Sequence, residues 1–143
     1  MMNAQELREL QAPLKQKYRD NPDAGEVRAY AEGRLGAGIT CSVSGWGEDT
    51  LAGLHPATGG DGSKACSADM LLEALVACAG VTLNSVATHM GISLKDAAVR
   101  AEGRWDAGGT LGVYRDAPVG LTDIELSTDI SLVHGPLRCT LLA

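Results

Sequence analysis

The residues of this sequence best suited to chemistry are its four cysteines, Cys41, Cys66, Cys78 and Cys139. A cysteine thiolate is a strong nucleophile that is readily oxidised, so thiol-based redox chemistry is the reaction class to consider first. There is no Cys-x-x-Cys motif and no closely spaced set of Cys and His residues. We therefore predict no metal site and no cofactor, and we expect free thiols, as in a reducing compartment.

Cys78 differs from the other three because small residues surround it in a long apolar segment. These neighbours are Ala74, Ala77, Ala79 and Gly80. They leave room beside the sulfur for a substrate or for another segment of protein. Position alone favours the simpler interpretation, an inert thiol where two helices pack closely.

The remaining thiols and the histidines have weaker claims. Cys41 falls in a strand pattern and is expected to be a small buried apolar residue. Cys66 lies just ahead of the helix, where the helix N-terminus makes a thiol more reactive. Twelve helical residues, roughly 18 Å, would separate it from Cys78, which is too far for a disulfide. His55, His89 and His134 are isolated, so a thiol hydrolase with a nearby His base is the weakest hypothesis.

Composition limits the class of protein. The 143 residues suit one domain or one half of an intertwined dimer. A net charge of −6 argues against nucleic acid and anionic membrane surfaces as partners. The N-terminus has no apolar signal region, and Glu73, Asn84 and His89 interrupt the longest apolar run. We therefore expect a cytoplasmic protein with no membrane partner.

The first third of the chain predicts a helix and a hairpin. A helix is expected over residues 4–19, capped by Asn3 with Glu6 three residues later, although Pro13 could kink it. Apolar and polar residues then alternate over residues 26–34 and 37–44, which indicates a half-buried antiparallel hairpin. Residues 53–67 form a Gly-rich loop that lacks the spacing of a phosphate-binding loop.

A long helix and two strands are predicted after this loop. Ser67 is expected to cap a helix that runs to Met90 and ends at Gly91. Apolar side chains surround most of this helix, so it should be buried and central. Alternation predicts strands at residues 97–105 and 121–132, whereas the tail, residues 133–143, shows neither pattern.

Several of these segments together resemble the OsmC/Ohr family (osmotically inducible protein C and organic hydroperoxide resistance proteins). The family has a Gly-rich loop, a helix that begins Ser-Pro-x-Glu-Leu-Leu, and an Ala-rich run that ends at the reactive cysteine. The matching segments are Gly59-Gly60-Asp61-Gly62 and Ser67-Ala68-Asp69-Met70-Leu71-Leu72-Glu73-Ala74-Leu75-Val76-Ala77-Cys78. Met90-Gly91, the strand around Val99, and Asp116-Ala117-Pro118-Val119-Gly120-Leu121 also match, so the resemblance covers about residues 26–132.

The resemblance implies an α+β fold in which antiparallel sheets wrap around a long central helix and two chains intertwine as a homodimer. Residues 1–25 would be a helical extension and residues 26–143 the OsmC-like domain, with an atypical tail. It also implies a reaction. A peroxidatic thiolate attacks the O–O bond of an organic hydroperoxide, a second cysteine resolves the sulfenic acid as a disulfide, and a dithiol reductant restores the thiols.

Four residues match the implied active site to different degrees. Cys78 occupies the position of the peroxidatic cysteine. Asp69 stands where many members carry a Glu, but it is shorter and lies on the opposite face of the helix. Arg34, expected at the first hairpin turn, is the best match for the Arg that stabilises the thiolate, although a solvent-exposed hairpin charge is the simpler interpretation. Cys139 is the only thiol in the resolving region, although the helix that normally carries that thiol does not fit into the 11 residues after Leu132. The alternative is an inactive OsmC-like fold that binds a small apolar ligand or serves as a structural dimer.

Overall fold

The computed structural model describes residues 2–45, 47–132 and 135–142, and their side chains as far as Ser131. It has a mixed α+β fold, as predicted. The helices are α1 (Ala4–Asp20), α2 (Ser67–Met90) and the short α3 (Ala107–Thr110), with 3₁₀ turns at Pro22–Gly25 and Pro56–Thr58. The strands are β1 (Glu32–Gly36), β2 (Thr40–Ser44), β3 (Thr50–Gly53), β4 (Ala65–Cys66), β5 (Leu94–Arg104), β6 (Thr122–Leu132) and β7 (Gly135–Leu142).

The strands form two sheets. The first has the order β1-β2-β3-β4, in which β1–β2 and β2–β3 are antiparallel and the short β4 joins β3 in parallel. In this register Arg34 lies opposite Ser42, and Cys66 lies opposite Gly53. The second sheet has the order β5-β6-β7. Strands β5 and β6 confirm the two strands that alternation predicted, although β5 begins three residues earlier than expected.

The chain divides into two compact units, each assembled from separated segments. Unit 1 comprises Met1–Ala29, Cys78–Val99 and Thr128–Cys139. Unit 2 comprises Tyr30–Ala77, Arg100–Ser127 and Thr140–Ala143. Helix α2 therefore contributes its N-terminal half to unit 2 and its C-terminal half, beginning at Cys78, to unit 1.

Helix α1 has the predicted capping box. The Asn3 side chain accepts hydrogen bonds from the backbone N–H groups of Gln5 and Glu6 at 2.9 and 3.0 Å, and Glu6 accepts from the Asn3 N–H at 2.8 Å. The helix continues through Pro13 for 17 residues. Leu7 is buried, and Arg8 Nη2 donates to the His89 carbonyl at 3.0 Å, so α1 contacts the C-terminal end of α2 within unit 1.

Removing this cap should loosen the start of α1. We expect Asn3→Ala to destabilise the first turn by about 1 kcal/mol, because two backbone N–H groups lose their acceptor. Amide hydrogen exchange of Gln5 and Glu6 measures this directly. Asn3→Asp keeps an acceptor oxygen and should preserve the protection. Equal exchange rates in Asn3→Ala and the unmodified chain would show that the capping box does not stabilise α1.

The first hairpin is shorter than predicted. Residues 26–31 are not a strand, and Val27 and Tyr30 are each 82% exposed. The alternating apolar side chains of this segment have no sheet to pack against among the described residues, so the pattern alone does not produce a strand. Arg34 consequently lies inside β1, whereas the sequence placed it in the turn. The observed turn contains Gly38 and Ile39, both with positive φ (69° and 57°).

The Gly-rich segment is a close-packed loop that contains the Pro56–Thr58 turn and the short strand β4. A Cβ at Gly60 would collide with the backbone carbonyl of Leu54, so this position requires glycine. Asp61 organises the next turn by accepting hydrogen bonds from the Ser63 hydroxyl at 2.6 Å and the Ser63 N–H at 2.9 Å. At Gly60 the backbone of this loop therefore approaches that of Leu54 too closely for any side chain.

The Asp61 turn should respond to pH. The hydrogen bonds from the Ser63 hydroxyl and N–H lower the pKa of Asp61 below its usual 3.8. Because the folded-state pKa is depressed, this contribution to the order of the turn is present above the unfolded pKa and is lost as pH falls through the folded pKa. We expect Ser63→Ala to raise the pKa in an NMR titration of the Asp61 carboxyl carbon, whereas Ser63→Thr should leave it low. An unchanged pKa in Ser63→Ala would contradict this assignment.

Helix α2 differs from the expectation of a buried helix. It begins at Ser67 itself rather than after it, and Ala87 is the one buried residue among its 24. By length and composition alone α2 could cross a membrane, contrary to the sequence expectation, although core helices of folded domains meet the same criteria. Only 6% of its most apolar window is buried in the chain. The sequence predicted an apolar helix correctly, whereas the predicted burial is not seen in the described chain.

The tail also differs from the prediction. Gly135–Leu142 forms strand β7 beside β6, where the sequence showed neither a helix nor a strand pattern. Cys139 therefore lies in a strand, while its side chain, together with residues 133, 134 and 143, is outside the described part of the chain. Pairing with β6 accounts for a strand without clear alternation, because β structure depends more on its neighbours than on its own sequence.

Candidate functional site

Cys78 lies near the middle of the exposed face of α2. An α-helix turns by 100° per residue, so residues three, four or seven positions from Cys78 lie on its side of the helix. These residues are Leu71, Ala74, Val81 and Thr82. All five residues are exposed in the single chain, with Val81 at 72% and Leu71 at 57%. We call this set the Cys78 face. It is an apolar surface with one reduced thiol near its centre.

The opposite side of α2 packs against β5 in each unit. In unit 1, Gly80 approaches Val99, so that a Cβ at Gly80 would stand 3.8 Å from Val99 Cγ2. In unit 2, Leu72 packs over Gly103, and a Cβ at Gly103 would stand 3.7 Å from Leu72 Cδ2. The small residues around Cys78 therefore have two uses. Gly80 allows close packing on β5, while Ala74 keeps the Cys78 face shallow beside the sulfur.

The polar surroundings of Cys78 are sparse. Among the described side chains, none forms a hydrogen bond with its Sγ atom. Asp69 lies on α2 but on the opposite side, where Asp69, Glu73 and Ala101 line a shallow cleft of about 420 Å³ in unit 2. His89 is exposed in the last turn of α2. His89 is eleven residues, or three helical turns, from Cys78, so it lies too far along α2 to act as a base for the Cys78 thiol.

Arg34 has a carboxylate partner that the sequence did not suggest. Its Nε atom lies 3.2 Å from Glu32 Oε1, two residues earlier on β1, so both side chains project from the same face of the sheet. The pair is exposed, with 81% of the Arg34 side chain accessible, and contributes little to stability. Glu32 places a carboxylate beside the Arg34 guanidinium on this face of the sheet. The i, i+2 spacing of Glu32 and Arg34 is the signal that would have revealed the pair.

The other two described thiols occupy structured positions in unit 2. Cys41 is half-buried in β2, opposite Ala52, and its sulfur fills the space above Gly33. Cys66 is half-buried in β4, immediately before α2. Cys41 is thus a packing residue of the sheet, whereas Cys66 lines a cavity at the N-terminal end of α2. Within the described residues, no cluster of three or more His, Cys, Asp or Glu side chains is arranged to hold a metal.

The comparison with known proteins supports one family. No curated protein matches this chain. A family model described as OsmC-like protein matches residues 60–137, more than half of the chain. This segment contains the end of the Gly-rich loop, all of α2 with Cys78, strands β5 and β6, and the beginning of β7. The family and the α+β fold expected from the sequence are therefore confirmed, and the chain belongs to the OsmC-like protein family.

Proposed function

We propose that this protein reduces organic hydroperoxides in oxidative-stress defence, with Cys78 as the peroxidatic nucleophile. The observation that carries the proposal is the position of Cys78. Within the segment that matches the family model, Cys78 follows the Gly-rich loop and the first half of α2, in the order typical of the family. Its thiol lies on an exposed apolar face of α2. A solvent-reachable thiol on an apolar surface suits a substrate with an organic group and a peroxide.

The proposed reaction requires only the thiol and the peroxide for its first step. The Cys78 thiolate attacks one oxygen of the O–O bond, an S–O bond forms, and the alkoxide leaves with a proton to become the alcohol. The sulfur is oxidised to sulfenic acid and the peroxide is reduced. A dithiol then reduces the sulfenic acid, so that hydroperoxide and dithiol become alcohol, water and disulfide.

We further propose that the active form is a homodimer in which a second copy covers the Cys78 face. Leu71 and Val81 are largely exposed in one chain. Removing apolar surface of this kind from water would stabilise a dimer. In this arrangement the thiol stays open to hydroperoxide, and charged groups of the partner copy lie beside it. Arg34, oriented by Glu32, is our candidate for the cation that stabilises the thiolate, and Asp69 is the candidate acid of the family pattern.

The second half of the cycle has three candidate thiols. Cys139, in strand β7, is our proposed resolving cysteine because it is the thiol of the C-terminal region. Cys66 or an external thiol would serve if Cys139 does not reach the sulfenic acid. A cytoplasmic location, where dithiol reductants keep thiols reduced, is part of the same proposal.

Consumption of cumene hydroperoxide tests the proposed function. The full chain is mixed with the peroxide and with dithiothreitol as the dithiol, and the remaining peroxide is measured over time. We expect many turnovers per chain with dithiothreitol and a single equivalent consumed without any reductant. A rate no higher than that of dithiothreitol alone would refute the proposal.

A further inference from the structure

A second candidate site lies in unit 2, at the N-terminal end of α2, away from the Cys78 face. It is a cavity of about 200 Å³ formed by the β3–β4 loop, the beginning of α2, the end of β5 and the segment before β6. Its principal lining residues are Leu54, His55, Cys66, Trp105, Val119 and Leu121. No Lys, Arg, Asp or Glu is among the described residues that line it.

The walls of this cavity are held by specific contacts. The His55 ring meets the Trp105 indole edge-on, with ring centroids 5.1 Å apart and an interplanar angle of 83°. His55 Nδ1 accepts a hydrogen bond from the Ala57 N–H at 3.0 Å. The His55 carbonyl accepts from the Thr58 hydroxyl at 3.0 Å and from the Gly60 N–H at 3.1 Å. The imidazole is therefore fixed both through its ring and through its backbone.

These contacts also determine the hydrogen-bonding character of the cavity. Because Nδ1 is an acceptor, the neutral imidazole carries its proton on Nε2, and Nε2 has no partner among the described residues. The hydroxyls of Thr58 and Thr110, which also line the cavity, donate to the carbonyls of His55 and Asp106. Among the lining side chains, the polar groups without a partner in the described residues are thus the His55 Nε2–H donor, the Ser67 hydroxyl and the weakly polar Cys66 thiol.

We propose that this cavity binds a small uncharged organic molecule, about the size of one aromatic ring, that carries a single hydrogen-bond acceptor. Its volume suits such a guest, since an apolar cavity of about 150 Å³ can hold benzene. The apolar lining and the absence of charged lining residues favour a neutral guest. The imidazole donor selects an acceptor oxygen, and the Trp105 ring offers an aromatic surface. Cys78 is not among the residues that line this site.

Protection of Cys66 from alkylation tests the site. The full chain is treated with iodoacetamide, and the modification of each cysteine is followed by peptide mass mapping. Acetophenone, which has one ring and one acceptor, should slow alkylation of Cys66. Toluene, which lacks the acceptor, should protect about fivefold less, as expected for the loss of one hydrogen bond of about 1 kcal/mol. Benzoate, which is charged, should not protect. Cys41 is the internal control, and its alkylation rate should not change.

Two variants make the test specific. His55→Phe keeps a ring beside Trp105 but removes the donor, so acetophenone and toluene should then protect equally. Val119→Phe enlarges a lining side chain and should reduce protection by both. The proposal is wrong if acetophenone does not protect Cys66, if it protects Cys41 to the same extent, or if Cys66 is already unreactive without a ligand because another surface covers the cavity. None of these results depends on whether Cys78 reduces peroxides.

Discussion

Replacing Cys78 by Ser is expected to lower the dithiothreitol-supported consumption of cumene hydroperoxide by at least about 100-fold, because a hydroxyl is a far weaker nucleophile than a thiolate at neutral pH. The substitution changes one atom on the exposed face of α2, where no described side chain hydrogen-bonds to the sulfur. The fold should therefore be preserved, and a lost reaction would report the chemistry of the thiol. Circular dichroism and thermal unfolding check that the variant is folded.

Cys41→Ser is the matched control for this loss. Cys41 is a thiol of the same protein, half-buried in β2 beside Gly33, and has no proposed role in the reaction. It should retain nearly the full rate. If Cys78→Ser remains active while Cys41→Ser or Cys66→Ser loses activity, the nucleophile is a different cysteine and the assignment to Cys78 is wrong.

The second large effect is expected at the proposed dimer interface. Val81→Glu should weaken self-association by at least about 100-fold, because it would bury an unpaired carboxylate in an apolar contact at a cost of several kcal/mol. Val81 is one turn from Cys78 on the same face and is 72% exposed in the single chain. Sedimentation equilibrium of the variant and the unmodified chain over a range of concentrations gives the dissociation constants.

Val113→Glu is the control for added charge. Val113 is an exposed valine of comparable accessibility, 63%, but it lies between α3 and β6 rather than on α2. This variant should associate as the unmodified chain does. A monomeric unmodified chain, or a Val81→Glu chain that is as dimeric as the control, would contradict the proposal that a second copy covers the Cys78 face.

Local signals account for the elements that the sequence predicted well. The Asn3–Glu6 capping box defines the start of α1, because both hydrogen bonds are made within four residues. Strands β5 and β6 have long alternation that one sheet face can satisfy. The order of Gly-rich loop, helix and cysteine identified the family, because a motif of this kind depends on order along the chain rather than on distant contacts.

The features that the sequence missed depend on what covers each element. The alternation of residues 26–31 predicted a strand, but Val27 and Tyr30 have nothing in the chain to pack against. Apolar residues surround α2, so its sequence does not show which face meets β5 and which stays exposed. Strand β7 depends on its pairing with β6, and the sequence of the tail contains little of that information.

The candidate sites likewise divide into residues that a linear pattern identifies and residues that only the folded structure brings together. Cys78, Asp69, Arg34 and Cys139 were identified from their positions in a linear pattern. The cavity lined by His55, Cys66 and Trp105 was not, because His55 and Trp105 are 50 residues apart and meet only through the packing of two loops. His55 had no assigned role in the sequence, and only its ring contact with Trp105 and its place in the lining of the cavity single it out.

The first product of oxidation tests the central claim most directly. The reduced chain is treated with one equivalent of cumene hydroperoxide in the presence of dimedone, which traps sulfenic acids, and the modified peptide is identified by mass spectrometry. We predict that the dimedone adduct lies on Cys78, and that it is absent from Cys78→Ser. A Cys78 that stays reduced in excess hydroperoxide, or an adduct confined to another cysteine, would contradict the assignment of Cys78 as the peroxidatic thiol.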